Sequence, residues 1–430
     1  MKCLMPYGKE PIEIELPPDL ASKATILNAK HDQALIDPIS EIYEKLEHPT
    51  GTRSLASLAK EAGSACVVVS DITRPVPNKI LIPPILETLI RSGVSRDAIT
   101  ILVATGLHRT NNYDDMLELL GEEIVDGYNI ISHDCWQDEN LDPVCELEKG
   151  YSVKINRQYL KADLKILTGL IEPHPVAGFS GGGKSVLPGV AGFDSMRLLH
   201  SFAMMDNPVN STGKIDGNLF RKYINKVCEK AGVSFLLNVT INNKRQVSGV
   251  FAGDYQQAFE QGVAEFSKTA VMLEEPADFV IVSAGGYPLD AQAEQCGKGL
   301  HEASRVLEAG GNVLWIAECS KGLGCAQYKE ILSKYNTAEK FRTHFSDPAN
   351  FTLRQWVIQA HYRILEKAGQ VHLFSPLLDD ADFNTLGVTK VTDLDKTIAK
   401  LGSSAQKIYL LPEGPYMFSK LKGKPAVDYR

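Results

Sequence analysis

The residues with the clearest chemical potential lie in a glycine-rich stretch in the first half of the chain. Residues 178–185 read GFSGGGKS, so Lys184 follows three consecutive glycines. The stretch matches the pattern G-x-x-x-x-G-K-[ST] of loops that wrap phosphates in backbone N–H groups. A lysine amine can instead become nucleophilic when it is partly desolvated, as in Schiff-base and related adduct chemistry. The choice between these chemistries depends on what surrounds Lys184.

The residues around Lys184 do not suit a phosphate-binding loop. Such a loop starts directly after a strand and continues into a sustained helix whose N-terminus holds the phosphates. Here Pro173 and Pro175 precede the glycines, and Pro188 follows Lys184 within about one helical turn, where it would end a helix. We therefore favour covalent attachment of a ligand to Lys184, because a backbone without side chains lets a bulky flat ligand approach the amine closely.

Further candidate residues directly follow strand-like runs. The motif DITR, from Asp71 to Arg74, comes after CVVVS and could hold a hydroxyl and an anion, since a guanidinium offers a planar fork of donors. His108 comes after ITILVA, and His174 lies just before the glycines. His200 follows further along the chain on a predicted helix. Each of these residues taken singly could also be a helix cap or a structural histidine.

The elements that must position these residues alternate between two patterns. Short β-branched runs, typical of buried parallel strands, alternate with segments that carry apolar residues at helical spacing. The strand-like runs are 66–71, 99–105, 128–133, 163–169, 234–241, 278–286, 312–319, 370–376 and 407–414. The helical segments include 80–93, 219–232, 255–273 and 293–311. This alternation predicts an α/β protein, in which ligands gather outside the carboxyl ends of the strands.

We predict two domains, each a mainly parallel sheet with helices on both faces, with the active site in the cleft between them. Residues 1–270 would form an N-terminal domain that binds the cofactor and carries the catalytic groups, and 275–409 a C-terminal α/β domain that contributes substrate contacts. The boundary and a hinge are predicted near Glu274, where a long helical pattern stops. The tail, residues 410–430, would pack back onto the first domain.

Composition and charge exclude several classes of protein. The 430 residues are 44% hydrophobic and 23% charged, which is typical of globular domains and not of disordered or collagen-like chains. A net charge of −8 argues against nucleic acid or an anionic membrane as the main partner, because both require a basic surface. The eight cysteines form no C-x-x-C pair, and no run resembles a signal peptide or membrane span, so we expect a cytoplasmic protein with reduced thiols.

Taken in their order along the chain, these motifs resemble those of the nickel-dependent lactate racemase family. The motifs are DITRP, GLHR, EPHPVAGFSGGGKSVLPGVAG, LLHS and GGYPLDAQAEQCGKG. The resemblance covers nearly the whole chain and implies an isomerase, a racemase or epimerase of 2-hydroxy acids. It also implies a nickel-pincer nucleotide, the nickel complex of pyridinium-3,5-bisthiocarboxylic acid mononucleotide, which binds the metal through its sulfurs and a ring carbon.

The resemblance assigns roles to individual residues of this chain. It implies that Lys184 holds the cofactor covalently as a thioamide and that His200 is the protein ligand to nickel, where an imidazole suits the metal beside soft sulfur donors. It implies that His108 and His174 exchange the hydroxyl proton as acid and base. The other implied residues are those that bind the substrate carboxylate, Arg74, Gln295 and Lys298, and those that lie against the cofactor nucleotide, Asp71, Ile72, Thr73 and Arg74.

The implied mechanism suits a 2-hydroxy acid. Removal of the α-proton would build carbanion charge beside an anionic carboxylate, whereas hydride transfer to the cofactor gives a flat 2-keto acid, and hydride return to either face gives either enantiomer. Lactate is the default substrate. Glu294, however, stands where family members acting on lactate can carry an aromatic residue. An anionic neighbour would repel a second carboxylate but could accept hydrogen bonds from further hydroxyls.

Two alternatives stay open at this point. Lys184 could carry pyridoxal phosphate in an amino-acid racemase or lyase, or the chain could be a non-catalytic α/β protein that binds a nucleotide or an organic anion. If the chain is instead a 2-hydroxy acid racemase, as the resemblance implies, its partners are a small 2-hydroxy acid and the cofactor-biosynthesis proteins that mature the enzyme. Neither nucleic acid nor a membrane is expected as a partner.

Overall fold

Two sheets organise the chain, each in its own unit. The computed structural model describes residues 1–148 and 150–423. The first unit comprises His31–Leu199 and Thr212–Lys268, and the second comprises Met1–Lys30, His200–Ser211 and the chain from Thr269 onward. In the described ranges, no helix combines the length and the apolar character needed to cross a membrane.

The sheet of the first unit has six strands and is parallel except at one edge. There a hairpin pairs Phe235–Ile241 with Val247–Gly253 in antiparallel register. In spatial order the strands are Val247–Gly253, Phe235–Ile241, Leu164–Leu170, Ala65–Ser70, Ile99–Ala104 and Asn129–Ser132. Two antiparallel ribbons, Leu141–Glu148 with Tyr151–Asn156 and Pro173–His174 with Gly178–Phe179, complete the β-structure. The helices are Pro38–Glu47, Leu55–Ala59, Asn78–Arg91, Tyr113–Leu120, Glu122–Gly127, Arg157–Lys161, Phe193–Leu199, Leu219–Ala231 and Gln257–Phe266.

The sheet of the second unit is parallel throughout. In spatial order its strands are Thr389–Lys390, Gln370–Phe374, Leu307–Ile316, Ala277–Ser283, Ile408–Leu411 and Ala24–Ile26. Lys2–Met5 pairs with Ile12–Glu15, and Val271–Leu273 with Ser419–Leu421. The helices are Pro18–Ala21, Phe202–Asp206, Ala293–Val306, Ala326–Lys334, Ala338–Phe345, Gln355–Lys367, Asp380–Leu386 and Leu394–Ser404.

The strand Ala277–Ser283, in the middle of this second sheet, carries apolar side chains on both of its faces. Phe279 and Ile281 join one apolar cluster, and Val280 and Val282 join the cluster on the opposite face. Successive strand side chains point to opposite faces, so a continuous apolar run is what a sheet buried on both sides requires. The predicted α/β class, with mainly parallel sheets and helices around them, is confirmed.

Each strand-like run predicted from the sequence overlaps a strand of the structure, but two of the helical segments end early. The helix predicted for 255–273 stops at Phe266, and Val271–Leu273 is a strand paired with Ser419–Leu421. The helix predicted for 293–311 stops at Val306, because Leu307 already begins a strand. In the first case the pairing partner lies far away along the chain, so the local pattern cannot show it.

The compact units divide the chain differently from the predicted domains. Met1–Lys30 belongs to the second unit, where Ala24–Ile26 is an edge strand beside Ile408–Leu411. The first unit ends at Lys268, before the predicted boundary near Glu274. The described part of the predicted returning tail also belongs to the second unit, held there by the pairing of Ser419–Leu421, and residues 424–430 lie outside the described residues. The predicted cleft stays a prediction.

Candidate active site

Three neighbouring strands of the first unit deliver the candidate residues to one edge of its sheet. Leu164–Leu170, Ala65–Ser70 and Ile99–Ala104 are adjacent and parallel, so their carboxyl ends share one edge. The loops that follow carry the glycine-rich stretch, the DITR motif and His108 respectively. This edge is the position expected for a ligand site in an open α/β sheet.

Asp71 and His108 form a hydrogen-bonded pair across two of these loops. His108 Nδ1 lies 2.7 Å from Asp71 Oδ2, and the hydroxyl of Thr73 donates to the other carboxylate oxygen at 2.8 Å. Asp71 is 3% exposed, whereas the His108 side chain is 43% exposed. Because a carboxylate only accepts, Nδ1 carries the proton and Nε2 of a neutral His108 is left as a proton acceptor.

His174 is held in the opposite tautomer. Its Nδ1 accepts hydrogen bonds from the backbone N–H groups of Val176 and Ala177 at 3.2 and 3.1 Å. This nitrogen therefore carries no proton, and a neutral His174 has its proton on Nε2. The tight return of the chain between the short strands Pro173–His174 and Gly178–Phe179 supplies both donors. The structure thus provides one imidazole set to accept a proton and one set to donate a hydrogen bond.

Lys184 lies in a single tight turn, Gly182–Ser185, and no sustained helix follows it. This agrees with the exclusion of a phosphate-binding loop. Burial, and then the positive charges of Arg74 and Arg221, lower the pKa of Lys184 well below its usual range, against an opposing effect of Glu172. A neutral amine is the form that attacks an acyl group, so the environment suits covalent attachment.

The glycines before Lys184 face the protein interior, which differs from the role predicted for them. A Cβ added at Gly183 would lie 2.4 Å from Cys228 Sγ, and one at Gly182 would lie 2.9 Å from the ring of Phe259. Such distances are far below ordinary van der Waals contact. Close packing of the loop against neighbouring helices, and not ligand approach, therefore requires glycine at these two positions.

Arg221 organises the same loop, and the sequence offered no signal for it because it lies within an ordinary amphipathic helix, Leu219–Ala231. Its buried guanidinium donates to the backbone carbonyls of Ala177, Phe179 and Gly181. Burial lowers its pKa to about 10. A planar fork of donors can bridge several carbonyls at once, so Arg221 fixes the path of the chain that leads into the turn.

Arg74 and Glu172 form an ion pair at 3.5 Å, with both side chains about one-third exposed (37% and 33%). The sequence-based roles included Arg74 but not Glu172. Only one guanidinium nitrogen, Nη1, contacts Glu172, and the Arg74 side chain stays partly exposed to solvent. Arg74 is therefore only loosely paired, and most of its donors can meet an anion.

The second unit holds the other candidate residues. The imidazole of His200 lies 4.5 Å from the ring of Trp356, and Gln355 donates to the His200 carbonyl at 3.4 Å. Gln295 and Lys298 are exposed on the helix Ala293–Val306. The structure therefore places His200 and Lys184 in different units, whereas both were predicted in residues 1–270.

A metal bound at His200 would need donors from a bound molecule. In the described ranges, no group of three or more His, Cys, Asp or Glu side chains could hold a metal ion. A cofactor that brings its own sulfur and carbon donors requires only one imidazole from the protein, and an amine with a lowered pKa fits its covalent attachment. The residues present thus fit a self-ligating cofactor better than a protein-only metal cage.

Comparison with known proteins gives consistent results over nearly the whole chain. Residues 7–213 match the family model described as the lactate racemase N-terminal domain, and 272–416 match the lactate racemase C-terminal domain. A lactate racemase of Lactiplantibacillus plantarum is 30% identical over 423 residues, covering 95% of this chain and 97% of that protein. A lactate racemase of Thermoanaerobacterium thermosaccharolyticum is 34% identical over 322 residues, covering 74% of this chain and 75% of that protein.

Solved structures show the same similarity. The lactate racemase apoprotein from T. thermosaccharolyticum has a TM-score of 0.89 at 29% identity and covers 98% of this chain and 100% of that one. A protein from Thermotoga maritima has a TM-score of 0.65 at 18% identity, covering 91% of this chain and 100% of that one, which shows a shared fold only.

Proposed function

The chain belongs to the lactate racemase family, whose named members are isomerases, and we propose that it inverts C2 of a 2-hydroxy acid through a 2-keto acid intermediate. The observation that carries this proposal is the pair of histidines in opposite tautomers. Inversion by oxidation and reduction needs one group that takes the hydroxyl proton and another that can act at the opposite face. We assign these two parts to His108 and His174.

His108 acts as the base toward one enantiomer. Its Nε2 accepts the hydroxyl proton, and Asp71, fixed by Thr73, stabilises the imidazolium that forms. The same ring returns the proton when the reaction runs backward. At first, His174 donates a hydrogen bond from Nε2–H to the substrate oxygen. It can give or take a proton only after its Nδ1 is released from the backbone N–H groups of Val176 and Ala177.

Cationic groups bind the substrate carboxylate. Arg74 lies at the same edge of the sheet as His108, and its single contact with Glu172 leaves most of its donors for the carboxylate. Lys298 and Gln295 are exposed on one helix of the second unit, and we propose that they contribute charge and a hydrogen bond to the same carboxylate. Holding the flat keto acid in place between the two half-reactions requires such anchors.

The proposed cofactor is the nickel-pincer nucleotide. When bound, it supplies the electron sink that takes a hydride from C2 and returns it. Lys184 would hold it covalently, the His200 imidazole would bind its nickel, and Asp71, Ile72, Thr73 and Arg74 would lie against its nucleotide part. Because this cofactor has to be made and loaded by other enzymes, cofactor-biosynthesis proteins are proposed partners in maturation.

The test begins with protein from a host that makes the cofactor. Intact mass and metal analysis of the wild type should show a nucleotide-sized adduct and one equivalent of nickel, both absent from Lys184→Ala. The loaded enzyme should then interconvert the C2 isomers of at least one member of a 2-hydroxy acid panel. Failure to invert any of them would overturn the proposal, and trapping of an aldimine at Lys184 by borohydride would point to pyridoxal phosphate.

A further inference from the structure

A buried carboxylate lies beside the proposed substrate residues of the second unit. Glu294 is 9% exposed and directly precedes Gln295, four residues before Lys298 on the same helix. Its Oε2 accepts a hydrogen bond from the backbone N–H of Cys325 at 3.1 Å. Gly324, at φ +141°, makes room for it, since a Cβ there would lie 2.6 Å from Oε2. The backbone at 324–325 therefore holds this carboxylate in one orientation.

Arg354 is the cation that faces this carboxylate. Its Nη1 lies 3.4 Å from Glu294 Oε1, and its side chain is 44% exposed. Arg354 has a left-handed backbone with φ +72°, which costs energy for a residue with a side chain and persists only where its surroundings fix it. The next two residues contact His200, Gln355 through its amide and Trp356 through its ring. Arg354, which pairs with Glu294, is thus the neighbour along the chain of two residues that contact the proposed nickel ligand.

We propose that the Glu294–Arg354 pair binds the distal hydroxyls of the substrate, so that the enzyme acts on monocarboxylic polyhydroxy acids in preference to lactate. The inference rests on the proposed function and specifies its substrate class. We place the substrate carboxylate at Lys298 and Gln295 with C2 toward His200, as in the proposed function, and infer that its remaining carbons extend toward the Glu294–Arg354 pair. The pair lies on the same two elements, the helix Ala293–Val306 and the start of Gln355–Lys367.

The chemistry of the pair selects among possible substituents. A hydroxyl can donate to the carboxylate and accept from the guanidinium, so it satisfies both partners of the pair. A methyl group satisfies neither, which disfavours lactate. A second carboxylate would gain Arg354 but meet the charge of Glu294, which cannot turn away without losing the Cys325 N–H. Neutral polar groups therefore fit better than apolar or anionic ones.

The experiment compares C2 inversion of four acids by the cofactor-loaded enzyme, followed by chiral chromatography. The acids are lactate, glycerate, erythronate, whose C2 epimer is threonate, and the dicarboxylate malate. We expect kcat/KM to rise from lactate to glycerate to erythronate, by about tenfold or more over the series, with malate no better than lactate. Arg354→Met and Glu294→Gln should each lower the erythronate-to-lactate ratio about tenfold, chiefly through KM for erythronate.

A matched control separates this effect from a loss of one surface ion pair. Arg342 pairs with Glu366 on exposed residues of the same unit, so Arg342→Met should leave the ratio unchanged. If Arg354→Met fails to fold, Glu294→Gln and Arg354→Lys still test the pair. Inversion with lactate or malate preferred, or an unchanged ratio in the pair variants, would overturn this inference and leave the proposed function standing. No inversion of any acid by nickel-loaded wild type would overturn both.

Discussion

At the scale of single residues, Asp71 decides what His108 can do. Both of its carboxylate oxygens are engaged, one by the Thr73 hydroxyl and one by the imidazole. The family resemblance implies that Asp71 lies against the cofactor nucleotide. It gives no sign of the pairing with His108, because a motif gives positions along the chain and not hydrogen bonds. The pairing becomes visible only when two neighbouring parallel strands bring the loops after them together.

Replacing Asp71 by asparagine should therefore impair catalysis more than structure. The amide can donate to Nδ1 of His108, which moves the imidazole proton to Nε2 and removes the proton acceptor. We expect kcat for C2 inversion to fall by at least about a hundredfold, with nickel content and melting temperature close to those of the wild type. Asp138→Asn, which disturbs the ion pair of an exposed carboxylate with Lys154, is the matched control. Equal losses in the two variants would contradict the assigned role.

At the scale of elements, the sequence predicts the strands well and the turns poorly. Runs such as 66–71 and 278–286 are buried on both faces, so their composition alone identifies them. The glycine-rich turn is different, because its geometry depends on groups far away in the chain. Arg221 and Cys228 of the helix Leu219–Ala231 shape it, and no pattern within residues 178–185 reveals their contacts.

A substitution of Gly183 by alanine tests whether packing is what requires glycine there. The new methyl group would meet Cys228 Sγ at 2.4 Å and Ile224 Cγ2 at 2.8 Å. Overpacking of this kind should lower the free energy of unfolding by about 1–3 kcal/mol. Adding Cys228→Ala to Gly183→Ala removes the nearer obstacle and should recover part of the loss in a double-mutant cycle of urea unfolding. If the two effects simply add, the glycine is required for another reason.

At the scale of the whole molecule, three separate stretches of the chain build the second unit. Met1–Lys30 and His200–Ser211 both belong to the second unit, which composition and periodicity did not predict. The edge strand Ala24–Ile26 is only three residues long, too short to show a pattern, and its partner Ile408–Leu411 lies near the other end of the sequence. Membership in a unit depends on long-range pairing, so local sequence signals cannot assign it.

The stability of the molecule should fall in mild acid because of His133, which lies in the core of the first unit. Burial lowers its pKa to about 4, so in the folded state it stays neutral, with Nε2 donating to the Ala191 carbonyl. Between its ordinary pKa near 6.5 and about 4, the unfolded chain binds a proton that the folded chain does not, so stability decreases as pH falls, by up to about 3 kcal/mol. Burial also lowers the pKa values of His361 and His372, so the contribution of His133 has to be isolated with variants. We would measure the free energy of unfolding by urea between pH 7 and 4 for His133→Asn and for the exposed-site control His48→Asn. The free energy should fall less steeply with decreasing pH in His133→Asn, by a slope that corresponds to up to about one bound proton. Parallel curves would contradict a neutral buried imidazole.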